Sequence, residues 1–274
     1  MDRDYNTEPE VSNAELVNRD TFERLMAKKR IKKVIRRINY TFLTVLLCFI
    51  FVIICMAVFL KIETIEIKGN EKYASEDILA SSGITVGQNL YAINKKTAEA
   101  MIIRENPYVN DVVIRRTLPS TLTFRITEDI PVFYTEICGE YYILSEEMRV
   151  LERVDVLPDM TERRLIPVVM SEISSAIVGE YMTFEKQLAF DYISEFLLAI
   201  HDHEIADKIT EIDITKRYNI YVNYEDRFRI YLGDNTEPNM KLTFAKLMID
   251  TFNDNQRGEI DAHDITVGSA ILDN

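Results

Sequence analysis

The sequence contains few of the residues from which chemical sites are usually built. It has three cysteines and three histidines in 274 residues. Cys48 and Cys55 lie within one apolar run, so Cys138 is the only thiol elsewhere and an intrachain disulfide outside that run is excluded. The folded part of the chain must therefore be held together by its core, unlike a small secreted disulfide scaffold.

The histidines do not form a zinc pattern. His201 and His203 are two residues apart and would point to different sides of a helix, and only His263 remains elsewhere. A zinc site needs three or four convergent ligands. The sequence also lacks the Gly-x-Ser-x-Gly elbow, the phosphate-binding loop and the dinucleotide fingerprint. We therefore predict no metal, no cofactor and no small-molecule substrate.

Two further candidates for chemistry are weak. Cys138 stands beside Gly139 in a predicted hairpin, which favours a buried or edge thiol over a nucleophile. The carboxylates of Glu146 and Glu147 are adjacent in sequence and would diverge on a strand, which disfavours a glycosidase pair. The chain is accordingly predicted not to be an enzyme.

Charge is unevenly distributed along the chain. Residues 1–60 carry a net charge of +3 and the remaining residues −16, with most of the acidic excess beyond residue 131. This balance argues against nucleic acid as a partner and against contact with an anionic bilayer surface. A basic partner and a solvated, aggregation-resistant surface are both compatible with it.

One long apolar run, Tyr40 to Leu60, contains no charged residue. At ~1.5 Å per residue, about 20 residues span the roughly 30 Å hydrocarbon core of a bilayer. A cleaved signal would have a shorter apolar region and a small-residue cleavage site. Lys and Arg are concentrated just before the run. We predict one uncleaved transmembrane helix at residues 39–60, with the amino end cytoplasmic and residues 61–274 outside.

Residues 1–38 are the predicted cytoplasmic tail. The first 19 or so are polar and acidic and predict disorder. From Asp20 onward, apolar residues recur at spacings of three and four among basic residues, which indicates a basic amphipathic helix. The basic residues of this helix can act as a topology signal and contact lipid headgroups. The alternative is that the helix binds a cytoplasmic partner.

Beyond the apolar run, residues 61–131 predict the order β-α-α-β-β. Ile65 and Ile67 alternate with charged residues before a Gly-Asn turn, and Asn94 is placed to cap the second helix. Two strands follow, at 108–116 and 120–127, joined across Leu118-Pro119.

This segment resembles the membrane-proximal POTRA domain of the FtsQ/DivIB bacterial cell-division proteins. Two departures from the family pattern are Leu118, where an aromatic residue is frequent, and Asp129, where a basic residue is common. The shared marks are the strand into Gly69-Asn70, Gly83, the loop Gly87-Gln88-Asn89-Leu90, the entry Pro107 to Val109, Arg116 before Leu118-Pro119, and Glu128 with Pro131 at the exit.

Residues 132–274 resemble the second, β domain of the same family more weakly. The pattern predicts several short strands, a helix with an apolar stripe from Leu188 to Ile200, a hairpin across Glu225-Asp226, a last helix opened by Pro238 and a terminal strand from Gly258. The predicted fold class is α+β: a single transmembrane helix, a small β-α-α-β-β POTRA domain, and a larger β domain of mixed sheet plus helices.

The resemblance implies a non-enzymatic, single-pass divisome scaffold in the cell membrane at the division septum. The resemblance further implies that such a scaffold links division factors and helps control septal peptidoglycan synthesis through protein–protein contacts. The implied partners are coiled-coil proteins of the FtsB/DivIC and FtsL type.

In the family, the FtsB/DivIC partner meets the last strand and the preceding helix of the β domain. Asp261 matches the family's terminal strand, whereas His263 and Asp264 stand where an Arg-Tyr pair is frequent. Ordinary sheet packing is the alternative role for Ile260 and Ile265. The implied partner-binding residues are Met240, Phe244, Leu247, Ile260, Asp261, Ala262, His263, Asp264 and Ile265.

Two other functions fit parts of the pattern. A POTRA-bearing accessory of envelope transport or assembly would have several repeats or an outer-membrane barrel. A membrane-anchored envelope hydrolase would need a convergent catalytic set in a cleft. The sequence offers neither feature.

Overall fold

A computed structural model describes residues 13–157 and 164–273. The chain divides into two compact units, residues 1–61 and 62–274.

In the described part of the first unit, residues 13–61, one long helix, α1, runs from Asn13 to Phe59. It includes a window, Lys32–Cys55, that is long and apolar enough to cross a membrane, with a mean hydropathy of 2.5. None of that window is buried within the protein. Thr41 and Thr44 donate their hydroxyl protons to the carbonyls of Arg37 and Tyr40 one turn earlier, at 2.9 and 2.8 Å. These bonds to the helix backbone satisfy hydroxyl groups in an environment where water is absent, such as the hydrocarbon core of a bilayer.

Helix α1 begins earlier than the sequence indicates. Residues 13–19 lie in the stretch for which disorder is predicted, yet they are helical and continuous with the basic segment. Ala, Glu and Leu in this stretch are strong helix formers, so a helix that is already nucleated downstream can propagate into it. The rest of the predicted disordered stretch, residues 1–12, lies outside the described residues.

The second unit opens with a three-stranded sheet and two helices in the predicted order β-α-α-β-β. Strand β1 pairs in parallel with β3, and β2 pairs with β3 in antiparallel, which gives the order β1-β3-β2. The elements are β1 Thr64–Lys68, α2 Ser75–Ser82, α3 Lys95–Glu105, β2 Val109–Thr117 and β3 Thr121–Glu128.

The residues of the POTRA pattern have identifiable structural roles. Arg116 donates to the carbonyls of Leu90 and Ile93 at 2.7 and 3.0 Å, which holds the loop between the two helices against β2. The carboxylate of Glu128 accepts the backbone N–H groups of residues 71–73, at 2.7 to 3.4 Å. Gly69 has φ +88, and a Cβ there would lie 2.2 Å from the carbonyl oxygen of Ile126. Only glycine allows this approach of β1 to β3.

The rest of the unit is built on a nine-stranded sheet of order β14-β13-β12-β11-β10-β7-β4-β5-β6, with a two-stranded ribbon β8-β9 beside it. Its strands are β4 Pro131–Ile137, β5 Glu140–Ser145, β6 Val150–Val154, β7 Ile166–Val169, β10 Ile209–Asp213, β11 Ile220–Tyr224, β12 Phe228–Gly233, β13 Gly258–Asp261 and β14 Ser269–Leu272. The ribbon consists of β8 Ile173–Ser175 and β9 Thr183–Phe184, and the helices are α4 Gln187–His201 and α5 Pro238–Ile249. The α+β class is confirmed.

The apolar core lies between the sheet and the two helices. Helix α4 buries most of the stripe that its spacing predicts, including Ile193, Phe196 and Ile200. Leu188, the first residue of the predicted stripe, is exposed. In the predicted hairpin, Val222 pairs with Ile230 and Tyr224 with Phe228, and all four side chains are buried. The sheet therefore has one face covered by helices, as the alternation of its strands indicates.

A buried arginine joins the POTRA segment to the sheet segment. The Arg149 side chain, in a residue only 3% exposed, donates to the carbonyls of Val109 at 2.6 Å and Gly179 at 3.0 Å. Its guanidinium lies 3.6 Å from the carboxylate of Asp129. Burial raises the pKa of Asp129, and the charge of Arg149 opposes that rise. Asp129, which stands where a basic residue is common in the family, is thus paired with a buried cation.

Candidate partner-binding surface

The predicted binding residues lie where the sheet ends, on α5, β13 and the turn that follows β13. We call the solvent-facing side of α5, residues 263–268 and strand β14 the terminal surface. Leu247 on α5 is 61% exposed and Ile271 on β14 is 72% exposed, and Met240 and Val267 are exposed as well. The terminal surface therefore presents large apolar side chains to solvent at one end of the sheet.

Helix α5 is fixed to the end of β12 by an ion pair. The carboxylate of Asp234 accepts from the buried ammonium group of Lys241 at 2.7 Å and from the hydroxyl of Thr236 at 2.6 Å. The bonds from Lys241 and Thr236 lower the pKa of Asp234 to about 2. Pro238 occupies the first helical turn, where a missing N–H costs nothing. The helix start is thus held in place while its outer side stays open.

Strand β13 lies inside the sheet, with β12 on one side and β14 on the other. Ile260 and Ala262 are fully buried in the core. Ile260 therefore packs in the sheet core, which is the alternative role considered for it, and neither side chain is accessible to a partner. The exposed predicted residues are Met240, Leu247, His263 and Asp264, whereas Phe244, Asp261 and Ile265 are partly buried.

The turn after β13 is ordered by its own carboxylates. Asp261 contacts the ring nitrogen Nδ1 of His263 at 2.5 Å, and the His263 ring lies 5.6 Å from that of Tyr231. Asp264 accepts from the N–H and the hydroxyl of Thr266 at 2.9 and 2.6 Å, and these bonds lower the pKa of Asp264. The positions of the family's Arg-Tyr pair are therefore filled by polar groups that bond within the turn.

Strand β14 is one of the two edge strands of the nine-stranded sheet, and β6 is the other. The N–H of Asp273 donates to the carbonyl of Arg257 at 2.9 Å, which continues the β13-β14 ladder. Antiparallel pairs alternate between bonded and non-bonded positions. The backbone N–H groups of Ala270 and Leu272 consequently point away from β13, whereas that of Ile271 points toward it. Two backbone donors thus face outward along the edge.

The sequence does not predict β14. Its only signal is a run of three apolar residues, Ala270 to Leu272, between Ser269 and Asp273. Gly268 is packed tightly, because a Cβ there would lie 2.1 Å from Cε1 of Phe244. A strand of this length is recognisable only once its pairing partner β13 is placed.

The other candidate residues for chemistry are dispersed. His201 faces Glu146 at 3.6 Å and packs edge-on against Phe133, while His203 bonds the hydroxyl of Thr243 at 3.0 Å. Cys138 is exposed at the hairpin turn between β4 and β5. Among the described residues, no three His, Cys, Asp or Glu side chains converge as metal ligands do.

Comparison with known families identifies the first part of the second unit. Residues 60–129 match the family described as "POTRA domain, FtsQ-type". The matched segment coincides with β1 to β3 and the two helices between them.

Relatives cover most of the chain. Over 250 residues it is 27% identical to the cell division protein DivIB of Clostridium botulinum (strain Hall), which covers 90% of this chain and 94% of the relative. It is also 27% identical over 175 residues to the cell division protein FtsQ of Corynebacterium glutamicum, with 64% of this chain and 72% of the relative covered. The resemblance to the FtsQ/DivIB cell-division proteins is confirmed.

One solved structure is a more distant match. The major extracytoplasmic domain of DivIB from Geobacillus stearothermophilus aligns at a TM-score of 0.31 and 14% identity, covering 47% of this chain and 98% of that chain. A score at this level does not bear on the fold.

Proposed function

We propose that this chain, which is similar to cell-division proteins, is a non-enzymatic scaffold of the division machinery. One uncleaved helix anchors it in the cell membrane at the septum, with residues 61–274 outside the cytoplasm. It helps control septal peptidoglycan synthesis by contact with other division proteins. The basic residues that precede the apolar window support this orientation.

The terminal surface is the proposed contact site. The observation that carries this proposal is the free edge of β14, with its outward backbone donors and the exposed side chain of Ile271. An exposed sheet edge accepts an extended segment as an additional strand. The exposed side chains of Met240 and Leu247 on α5 lie on the helix that precedes this edge in the chain, and they provide apolar contacts for the helical part of a partner.

The proposed partners are coiled-coil division proteins of the FtsB/DivIC and FtsL type. An extended segment next to a helix fits both parts of the terminal surface, because the strand pairs with β14 and the helix packs on α5. The partner residues named from the sequence are therefore revised to Met240, Leu247, His263, Asp264 and the edge residues 269–272.

Proline at the edge tests this proposal. Ala270→Pro removes an outward N–H and leaves the β13-β14 ladder intact, because proline is tolerated on an edge strand whose N–H faces solvent. Ala270→Ser keeps that N–H and is the matched control. We expect the proline variant to lose co-purification with a DivIC-type partner of the same organism and the serine variant to retain it.

Equal retention by both variants would exclude strand addition at β14. Fluorescent-fusion imaging tests the broader role. A septal band that depends on other division proteins supports it, whereas uniform membrane label together with wall hydrolysis by the purified protein contradicts it.

A further inference from the structure

A groove of about 550 Å³ lies between the outer side of α4 and the turn that follows β5, on elements that are not part of the terminal surface. We call it the α4 groove. It is lined by Glu146, Glu147, Tyr181, Met182, Thr183, Gln187, Phe190, Ser194, Glu195 and Leu198.

The floor of the α4 groove is apolar and follows the helix. Helix α4 packs one stripe of side chains into the core, and Phe190 and Leu198 lie on a second stripe that faces the groove. The rings of Phe190 and Tyr181 meet edge-on, with centroids 6.3 Å apart. Gln187 and Ser194 complete a line along the helix at spacings of three and four residues, about 16 Å in length. A floor of this length and regular spacing suits a second helix of about three turns.

The rim of the groove is acidic. Glu146 and Glu147 stand on one side and Glu195 on the other, and none of the described residues that line the groove is Lys or Arg. The hydroxyl of Tyr181 donates to Glu147 at 3.2 Å, which orients that carboxylate, and His201 lies 3.6 Å from Glu146. Three carboxylates around an apolar floor create a negative potential that attracts cationic side chains and repels anionic lipid.

We propose that the α4 groove binds a basic amphipathic helix of a protein partner. Apolar side chains of that helix pack on Phe190 and Leu198, and its flanking Lys or Arg side chains pair with the three glutamates. An extended segment is a poorer occupant, because the backbone bonds of α4 are internal and, on the opposite wall, the N–H of Met182 already donates to the carbonyl of Met148 at 3.0 Å. This site is separate from the terminal surface and does not depend on it.

Two synthetic peptides test the proposal on the full-length protein in nanodiscs of zwitterionic lipid. Both peptides carry leucine on one helical stripe, and they differ only in bearing Lys or Glu at the flanking positions. Protein-free nanodiscs serve as the blank. By fluorescence anisotropy at low salt, we expect the Lys peptide to bind at least about tenfold more tightly than the Glu peptide, and to weaken as salt is raised from about 50 to 300 mM.

Neutralising the rim identifies the site. The triple variant Glu146→Gln, Glu147→Gln and Glu195→Gln should lower the affinity for the Lys peptide about tenfold. The matched control, Glu180→Gln, Glu185→Gln and Asp191→Asn, removes the same charge from exposed positions that do not line the groove, and it should leave affinity within about twofold. Ser194→Trp fills the groove and should abolish binding of the Lys peptide.

Three results would overturn the proposal: equal binding of the two peptides, an equal loss in the control triple variant, or unchanged binding in Ser194→Trp. Circular dichroism of each variant verifies the fold. A strand-edge variant, Ala270→Pro, should bind the Lys peptide normally. A failure at the groove is thereby separated from a failure at the terminal surface.

Discussion

Replacing Arg149 with methionine should destabilise the second unit more than any exposed substitution. Methionine retains the apolar stem of the side chain but removes the guanidinium. The carbonyls of Val109 and Gly179 then lose their charged donor in a buried setting. The carboxylate of Asp129 also loses the cation 3.6 Å away.

The expected loss is about 3–5 kcal/mol in the free energy of unfolding. Hydrogen bonds from a charged donor each contribute about 1.5–3 kcal/mol, and Arg149 makes two of them, at 2.6 and 3.0 Å. Burying the guanidinium costs desolvation energy, and methionine avoids that cost, so part of the loss is offset. Removal of one partner of a buried ion pair typically costs about 3–5 kcal/mol. Arg149→Lys keeps the charge but not the fork that reaches both carbonyls, so its loss should be smaller.

Equilibrium urea unfolding of the full-length protein in detergent, followed by tyrosine fluorescence, measures this loss. Arg153→Met is the matched control, because Arg153 is exposed and its guanidinium lies 3.7 Å from Glu140. The control should lose less than about 1 kcal/mol. A loss in Arg149→Met no larger than that of the control would refute the role of Arg149 at this junction.

Three smaller perturbations have defined outcomes. Because the pKa of Asp234 is lowered to about 2, its pairing with Lys241 stabilises the fold above pH 3.8, and this stabilisation is lost as pH falls toward 2. Solvent screens this partly exposed carboxylate, so the effect is about 1 kcal/mol. Asp234→Asn should not show this loss of stability between pH 5 and pH 2.5, which unfolding at the two pH values measures. Gly268→Ala forces its Cβ onto Phe244 and should cost about 1–3 kcal/mol, partly recovered by adding Phe244→Leu; equal thermal midpoints in all three proteins would contradict this. Glu128→Ala removes the acceptor of the N–H groups of residues 71–73, two of which are exposed and can bond water instead, so it should cost about 1 kcal/mol. Glu128→Gln should cost less in the same urea assay, and the reverse order would contradict the role of Glu128 as the acceptor for this loop.

The POTRA segment could be predicted from sequence because its signals are local. Asn94 is the predicted cap, and its side chain accepts from the N–H of Thr97. Gly83 ends α2 in the left-handed conformation. Alternation in β3 sets which side chains are buried, and Leu122 and Phe124 are fully buried as that pattern requires. Each of these assignments depends on residues only a few positions apart.

The candidate site could be predicted only in part, because its geometry depends on distant pairings. Strand β13 was recognisable, yet its neighbour β14 carries no clear pattern of its own and moves the free edge outward by one strand. Ile260 consequently belongs to the core and Ile271 to the surface. The acidic groove was also beyond sequence reasoning, since Glu146 and Glu195 are 49 positions apart in the chain and meet only through the packing of α4.

The two proposed contact surfaces differ in the physical origin of their affinity. At β14 the affinity comes from backbone hydrogen bonds and apolar contacts, which salt screens little. At the α4 groove the affinity comes from three exposed carboxylates around an apolar floor, and salt weakens such pairs. A partner captured through both surfaces should therefore lose only part of its affinity as ionic strength rises. The binding that persists at high salt should disappear in Ala270→Pro, and the salt-sensitive part of the binding should disappear in the groove triple variant.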